Sequence, residues 1–209
     1  MTQRVLLFGS LVSCSLLLAP QAFADRILFV PTGEKLRSGE LKVSGIFSTD
    51  SSRQVEFRLG AGVTRELELS LSQFSAKYQT DRQSFSASYT FIDAIPEFSP
   101  AISIGIEDAM NQSERGRSLY LAISTTSYPD SVFPLDIPMQ LTLGTGTGEL
   151  SGIFGGVRLP LANELMVLGE WDRRGARIGA EVRPIPYLRI GYFSGLDQSY
   201  WTASASVRF

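Results

Sequence analysis

Charged side chains recur along the chain at positions that alternate with apolar residues, and carboxylates stand near guanidinium groups in the same segments. Paired carboxylates are the groups that carry general acid and base chemistry. In a confined space, carboxylates beside arginines instead form ion pairs, because an unpaired charge away from bulk water is costly. We therefore predict no catalytic residues and a lumen charge network of Lys42, Glu56, Arg58, Glu66, Glu68, Glu107, Glu170, Asp172, Arg177, Glu181, Arg183, Arg189 and Arg208.

The composition excludes several classes of function. The 209 residues include no histidine and one cysteine, and the formal net charge is -2. Without imidazole the chain cannot form a Ser-His-Asp or Cys-His nucleophile or a His-ligated zinc site. We expect no enzyme activity, no cofactor and no metal. Nucleic acid is not expected as a partner, because its binders present a clustered cationic face.

The first 24 residues read as a secretory signal peptide. A basic residue, Arg4, precedes the apolar stretch from Val5 to Ala19, and an Ala-Phe-Ala ending predicts cleavage before Asp25. The apolar stretch is too short for a typical transmembrane helix. An alternative uses the Leu-Val-Ser-Cys sequence that ends at Cys14, which resembles a lipoprotein cleavage box and would leave a lipidated cysteine.

A period of two fills the chain from Gly39 onward. Apolar residues alternate with polar or small ones in twelve segments, as in Ile102–Glu107, and this is the period of a β-strand. The links are short and rich in turn residues, which indicates consecutive hairpins. They include 160–163, 172–175, 184–186 and 195–197. The sequence thus predicts an all-β, up-and-down antiparallel barrel over residues 39–209.

Alternation leaves open which face meets water. A soluble β-sandwich or barrel, the structural alternative, places its apolar face inside, whereas a transmembrane barrel turns that face to lipid. Serine, glycine and threonine dominate the polar face, and lysine occurs only at Lys35, Lys42 and Lys77, which favours a transmembrane barrel of about 12 strands. Aromatic residues near strand ends agree with interfacial girdles. They are Tyr89, Phe91, Phe98, Tyr120, Trp171, Tyr187, Trp201 and Phe209.

Secretion together with such a barrel predicts a location in a bacterial outer membrane. The terminal Phe209 resembles the signal read by the barrel assembly machinery, which is an expected partner during biogenesis. An even strand number places both termini on one side, taken as periplasmic, with residues 25–38 as an N-terminal periplasmic segment. Links near Ser51, Thr80, Gln112, Thr147, Arg174 and Asp197 then face outward.

Arginines gather at or beside these outward links. Guanidinium groups suit bidentate phosphate binding, so we predict contacts with lipopolysaccharide, the alternative being solvated loop charges. The predicted residues are Arg53, Arg82, Arg115, Arg117, Arg173 and Arg174. Outer-membrane lipid and a polysaccharide complete the expected partners.

The second half of the chain carries a family resemblance. Its elements are Pro100–Ala101, the Gly-Ile-Glu-Asp of 105–108, the Phe-Gly-Gly-Val of 154–157, the Glu-Trp-Asp of 170–172 and the turn at Arg183–Leu188. This stretch resembles the barrel repeats of the YjbH family, outer-membrane proteins linked to exopolysaccharide production. Family members are several times longer, so the chain would be a single minimal barrel, and the family supplies no catalytic residues.

A barrel of about twelve strands is intermediate in width. Eight strands give a lumen filled by side chains and sixteen give a channel, so large paired side chains favour a narrow or plugged lumen. The expected function is an accessory role in exopolysaccharide production or export, or a narrow pore. The alternatives are a plugged structural barrel of the envelope and a His-independent lipid-modifying enzyme.

Overall fold

Twelve antiparallel strands follow one another along the chain and close into a barrel in this computed structural model, which describes residues 26–50, 54–76, 79–112, 116–128 and 138–209. The predicted fold class and strand number are confirmed. No helix of the described residues is long and apolar enough to span a membrane. The strands are β1 (Glu40–Ser48), β2 (Val55–Gly62), β3 (Leu67–Ala76), β4 (Gln79–Ile92), β5 (Ala101–Glu107), β6 (Ser118–Ser127), β7 (Met139–Gly146), β8 (Gly152–Ala162), β9 (Leu165–Asp172), β10 (Gly175–Ile185), β11 (Leu188–Gly195) and β12 (Ser199–Arg208).

The first and last strands close the barrel. In the antiparallel pairing of β1 with β12, Glu40 lies opposite Arg208 and Phe47 lies opposite Trp201. Beyond these strands, the Phe209 backbone N–H donates to the Gly39 carbonyl at 3.0 Å. Closure leaves no sheet edge available for pairing with another chain.

The alternating pattern separates a lipid-facing surface from a polar interior. Along β6, buried and exposed residues alternate from Ser118 to Thr126, with Leu119, Leu121 and Ile123 on the outside. Glutamate, serine, threonine and arginine side chains are buried on the inner face of other strands. A soluble barrel would show the reverse distribution, so the soluble alternative is wrong and the barrel is of the transmembrane type.

Exposed aromatic side chains mark both ends of the barrel. We name one end of the barrel the loop end; it carries the connections β1–β2, β3–β4, β5–β6, β7–β8, β9–β10 and β11–β12. Trp171 and Trp201 lie at this end. The opposite, terminal end carries Gly39, Phe209 and the other exposed aromatics of the predicted girdle, Tyr89, Phe91, Phe98 and Tyr187. Tyr120 was predicted in the girdle, and this is wrong, because its position in β6 faces the lumen and leaves it 8% exposed.

Two predicted links are shorter in the structure, because the strands run through their prolines. β8 continues past Pro160 to Ala162, and β10 continues past Pro184 to Ile185. The pairing register shifts at both places, between Pro160 and Ala162 and between Val182 and Ile185. The shift in β8 leaves out Leu161, next to Pro160, and the shift in β10 includes Pro184 itself. A proline has no N–H and is tolerated at or beside such an interruption of the hydrogen-bond ladder.

The segment that precedes β1 lies inside the barrel. The sequence predicts residues 25–38 as a periplasmic segment, and in the structure several of residues 26–37 are almost fully buried within the barrel, including Leu28, Val30 and Leu36. We call residues 26–37 the plug. Its apolar side chains lose contact with water when they enter the barrel, which favours this position over an exposed one.

Candidate functional site

The plug enters the lumen from the terminal end and folds back on itself. The Ile27 backbone N–H donates to the Val30 carbonyl at 3.1 Å, and Arg26 forms an antiparallel bridge with Pro31. The tight turn between them forms the tip of the plug. Most of its hydrogen bonds join plug backbone to barrel side chains, so the barrel wall holds the shape of the plug.

A single buried carboxylate binds the tip. Glu170 Oε2 accepts hydrogen bonds from the backbone N–H groups of Leu28 at 3.0 Å, Phe29 at 3.1 Å and Val30 at 3.1 Å. Consecutive N–H groups that converge in this way form a concave anion-binding site. The Glu170 side chain is 0% exposed, and its other oxygen accepts from Arg177 Nη1 at 2.8 Å.

Arg177 connects this carboxylate to the plug tip by a second route. Its guanidinium also pairs with Asp172 at 3.2 Å and lies 4.9 Å from the centroid of the Phe29 ring. Phe29 in turn packs edge to face against Tyr200, with centroids 5.3 Å apart. The predicted network residues Glu170, Asp172 and Arg177 therefore come together around the plug.

Apolar side chains on the inner wall receive the plug. Ile27 and Leu28 are buried with Met166, Leu168, Phe193 and Tyr200. On the other side of the tip, Val30 is buried with Tyr120, Ala122, Leu150 and Phe154. These positions interrupt the polar inner face. Apolar residues at inward positions of the strands, together with the apolar run Ile27–Val30, are the features of the sequence that indicate a plug.

The stem of the plug is anchored near the terminal end. Ser124 Oγ accepts from the Gly33 N–H at 2.7 Å, and Glu68 Oε2 accepts from the Leu36 N–H at 2.8 Å. Lys35 pairs with Asp93 at 3.1 Å. A Cβ at Gly33 would lie 2.6 Å from the Ala101 carbonyl oxygen, so only glycine permits the plug backbone to approach the wall so closely.

A second charge cluster surrounds the start of the plug. Arg26 pairs with Glu107, and its carbonyl accepts a hydrogen bond from Arg158. Arg58 lies 3.9 Å from Glu107 and 2.9 Å from Glu56. The predicted ion pairing of Glu56, Arg58 and Glu107 thus includes a plug residue that the prediction did not contain.

The remaining predicted network residues lie apart from the plug anchors. Glu181 and Arg189 pair at 3.4 Å in the lumen, and Lys42 is half-buried on the inner face. Arg183 donates to the Asn163 carbonyl at 2.8 Å, at the end of its strand. Glu66 lies in the β2–β3 turn, where it accepts from Thr64, and Arg208 is exposed at the terminal end.

The predicted lipopolysaccharide contacts differ in their surroundings. Arg117 and Arg173 are exposed at the loop end, and Arg174 pairs with Glu149. Arg82 is half-buried on the inner face. Arg53 and Arg115 lie outside the described residues.

Glu34 is the plug residue with the most perturbed ionisation. Burial raises the pKa of its carboxyl to about 7, and the positive charges of Arg158 and Arg37 oppose this shift only partly. Its Oε2 is buried without a hydrogen-bond partner among the residues that the structure describes. Ionised Glu34 is therefore poorly solvated in the docked plug.

The plug leaves open space mainly at the loop end. A cavity of about 400 Å³, here named the vestibule, lies there above the plug tip, and its wall includes Glu56, Phe74, Arg177 and Tyr200. Two cavities between plug and wall measure about 60 Å³ each. Within the described ranges, no cluster of three or more Asp or Glu side chains could hold a metal ion.

Comparisons with known proteins identify the type of fold. No family model matches the chain, and no curated protein matches it. Among solved structures, the chain is similar to a KdgM porin at 10% identity and a TM-score of 0.54, over 81% of this chain and 99% of that one. The same figures apply to a "KdgM porin in complex with disordered oligogalacturonate", except for a TM-score of 0.53. Omp33 of Acinetobacter baumannii has 10% identity over 81% of this chain and 98% of its own, with a TM-score of 0.45. The KdgM likeness shows a porin fold.

Proposed function

We propose that this protein is a non-enzymatic barrel of the bacterial outer membrane whose lumen is closed by its own N-terminal segment. The observation that carries this proposal is the plug. Backbone bonds to Glu170, Ser124 and Glu68 hold it along its length, and apolar contacts surround its tip. Space that would be a channel in an empty barrel is filled by residues 26–37.

The non-enzymatic assignment rests on how the lumen carboxylates are used. Glu170 is occupied by the plug and Arg177, and Glu107 is paired with Arg26. Glu56 and Glu181 face arginines within ion-pair distance. Each of these carboxylates is engaged by a guanidinium or by plug backbone, which is the arrangement of an ion-pair network and not of a general base beside a bound substrate. A lipid-modifying activity without histidine has no support in this arrangement.

We assign the barrel an accessory role in exopolysaccharide production or export. The YjbH-like stretch from Pro100 to Tyr192 supports this role, and a porin fold is compatible with it. One structure of similar fold is a KdgM porin in complex with disordered oligogalacturonate, so a barrel of this architecture forms a complex with a saccharide. A narrow pore is the second candidate, because a hairpin anchored by hydrogen bonds can leave the lumen without breaking a strand.

Outer-membrane lipid is the proposed surrounding, and lipopolysaccharide the proposed ligand of the loop-end arginines. Arg117 and Arg173 carry this part of the proposal, since both are exposed there. We expect lipopolysaccharide to raise the thermal unfolding temperature of the barrel. The increase should be lost when all six predicted arginines are replaced by alanine, and an unchanged increase would contradict the assignment.

The accessory role is tested in the native host. Deleting the gene should lower the amount of secreted polysaccharide, and the intact gene supplied in trans should restore it. Complementation by a form that lacks residues 26–37 shows whether closure matters to the role. Secretion that is unchanged by the deletion would contradict the accessory role and leave the narrow pore and the plugged structural barrel as the remaining candidates.

A further inference from the structure

The vestibule has the composition of a ligand site. Its volume of about 400 Å³ falls within the range of small-molecule pockets, roughly 300–1,000 Å³. Phe74 and Tyr200 contribute aromatic rings to its wall, and Gln54 and Gln198 contribute side-chain amides. Aromatic faces with amides beside them can receive the C–H face of a sugar ring and bond its hydroxyl groups.

A buried hydroxyl on the wall has no hydrogen-bond partner among the residues that the structure describes. Ser72 is 6% exposed, and within the described part of the chain its Oγ makes no hydrogen bond. Leaving a buried polar group unsatisfied costs stability, and such groups often mark functional places. Because Ser72 lines the vestibule, a ligand hydroxyl is a natural partner for it.

The charges that line the vestibule nearly cancel, because its wall carries three arginines and two carboxylates: Arg82, Arg174, Arg177, Glu56 and Asp197. Arg177 is paired with Glu170 and Asp172, Arg174 with Glu149, and Glu56 with Arg58. A polyanion needs cations that are not already neutralised. Paired groups can still share hydrogen bonds with hydroxyls, and this favours an uncharged, hydroxyl-rich ligand.

We propose that the vestibule binds a short neutral oligosaccharide on the loop-end side of the closed plug. This inference deepens the proposed role in polysaccharide production and rests on it for the class of ligand. The floor of the site depends on the plug, because Arg177 and Tyr200 both line the vestibule and both contact Phe29. The site is therefore a place of recognition above a closed lumen.

Calorimetric titration of the full chain in lipid nanodiscs tests the proposal, since nanodiscs avoid sugar-based detergents. The probes are maltotriose, cellotriose and laminaritriose, with trigalacturonate as the acidic comparison. At least one neutral probe should bind in a saturable manner. The affinity should fall at least tenfold in Phe74→Ala and about fivefold in Ser72→Ala, which loses one hydrogen bond to the ligand.

Matched controls lie on β2 and β3, close to the test residues but outside the vestibule. Phe57 follows Glu56, the β2 residue that lies opposite Phe74, and its side chain points to the outside of the barrel. Ser70 faces the lumen on β3, two residues from Ser72 and farther from the loop end. Phe57→Ala and Ser70→Ala should bind the probe as the unmodified protein does. They show that truncating a phenylalanine or a serine at a neighbouring position outside the vestibule does not by itself weaken binding.

Three results would overturn the proposal: no binding of any neutral probe, tighter binding of trigalacturonate, or equal losses in test and control variants. The proposed closed lumen and the proposed ligand site are tested by different measurements, conductance and binding, so each can fail without the other. A protein that binds the neutral probe but conducts ions continuously would keep the site and lose the closed lumen. A silent barrel without binding would keep the closed lumen and lose the site.

Discussion

Replacing Glu170 by glutamine should release the tip of the plug without disturbing the barrel. The carboxylate accepts three backbone N–H bonds from Leu28, Phe29 and Val30 and one bond from Arg177. Glutamine has the same shape, but it has one acceptor oxygen and turns an N–H₂ group toward these donors. The change therefore removes the charge and creates donor-to-donor contact at a side chain that is 0% exposed.

The magnitude follows from the plug N–H groups that lose a charged acceptor. Glutamine keeps one acceptor oxygen for three donors, so at least two hydrogen bonds to a charged group are lost, at about 1.5–3 kcal/mol each. At 1.36 kcal/mol for each factor of ten, a loss of about 3 kcal/mol raises the ratio of released to docked plug roughly 150-fold. Arg177 keeps Asp172 as a partner, so the effect concentrates on the plug. We expect the strands to remain folded.

Amide hydrogen exchange measured by mass spectrometry is the assay. Exchange at Leu28–Val30 should accelerate by about two orders of magnitude in Glu170→Gln. Glu181→Gln is the matched control, because Glu181 is also a lumen carboxylate and pairs with Arg189 on the neighbouring strand. Unchanged exchange at Leu28–Val30 in Glu170→Gln, or the same acceleration in the control, would refute the reasoning.

Three further predictions concern plug stability. The pKa of Glu34 is about 7 in the docked plug and 4.5 in the free chain, so docking takes up a proton between these two pH values. Closure of the lumen therefore weakens as the pH rises from 4.5 to 7. Exchange of the plug amides, corrected for intrinsic rates, should be faster at pH 8 than at pH 5, and Glu34→Gln should abolish the difference. Gly33→Ala places a methyl group against the Ala101 carbonyl and should accelerate plug exchange while leaving the barrel melting temperature little changed; slow exchange would contradict the close approach. Phe154→Ala removes a ring that is 1% exposed from the wall beside Val30 and should cost about 3–5 kcal/mol in denaturant unfolding, whereas a cost below about 1 kcal/mol would show that the ring is not part of the packing.

The sequence predicted the barrel because the period of two is a local property of each strand. The spacing of residues such as Leu119, Leu121 and Ile123 within one strand is enough to predict the lipid-facing side, and no contact with a distant part of the chain is needed. The ion pair of Arg177 with Glu170 can also be predicted from the sequence, since the two residues lie opposite each other across one hairpin. The sequence predicts that strands end before Pro160 and Pro184, whereas both strands continue past these prolines, because a bulge can accommodate a proline.

The plug could not be placed by periodicity, because its contacts join residues far apart in sequence and involve backbone more than side chains. Glu170 binds Leu28 across 142 positions, and Leu36 reaches Glu68 across 32. A carboxylate that accepts backbone N–H groups looks the same in sequence as one that pairs with arginine. The signals in the sequence are the inward apolar residues, such as Tyr120 and Phe154, and the apolar run Ile27–Val30.

Conductance across a planar lipid bilayer tests the closed lumen most directly. The intact chain and a form lacking residues 26–37 would be inserted under the same conditions, with insertion verified by heat-modifiable migration on a gel. We predict no discrete steps from the intact protein and reproducible steps from the shortened form. Equal conductance from both, or silence from both, would contradict the claim that the plug is what closes this barrel.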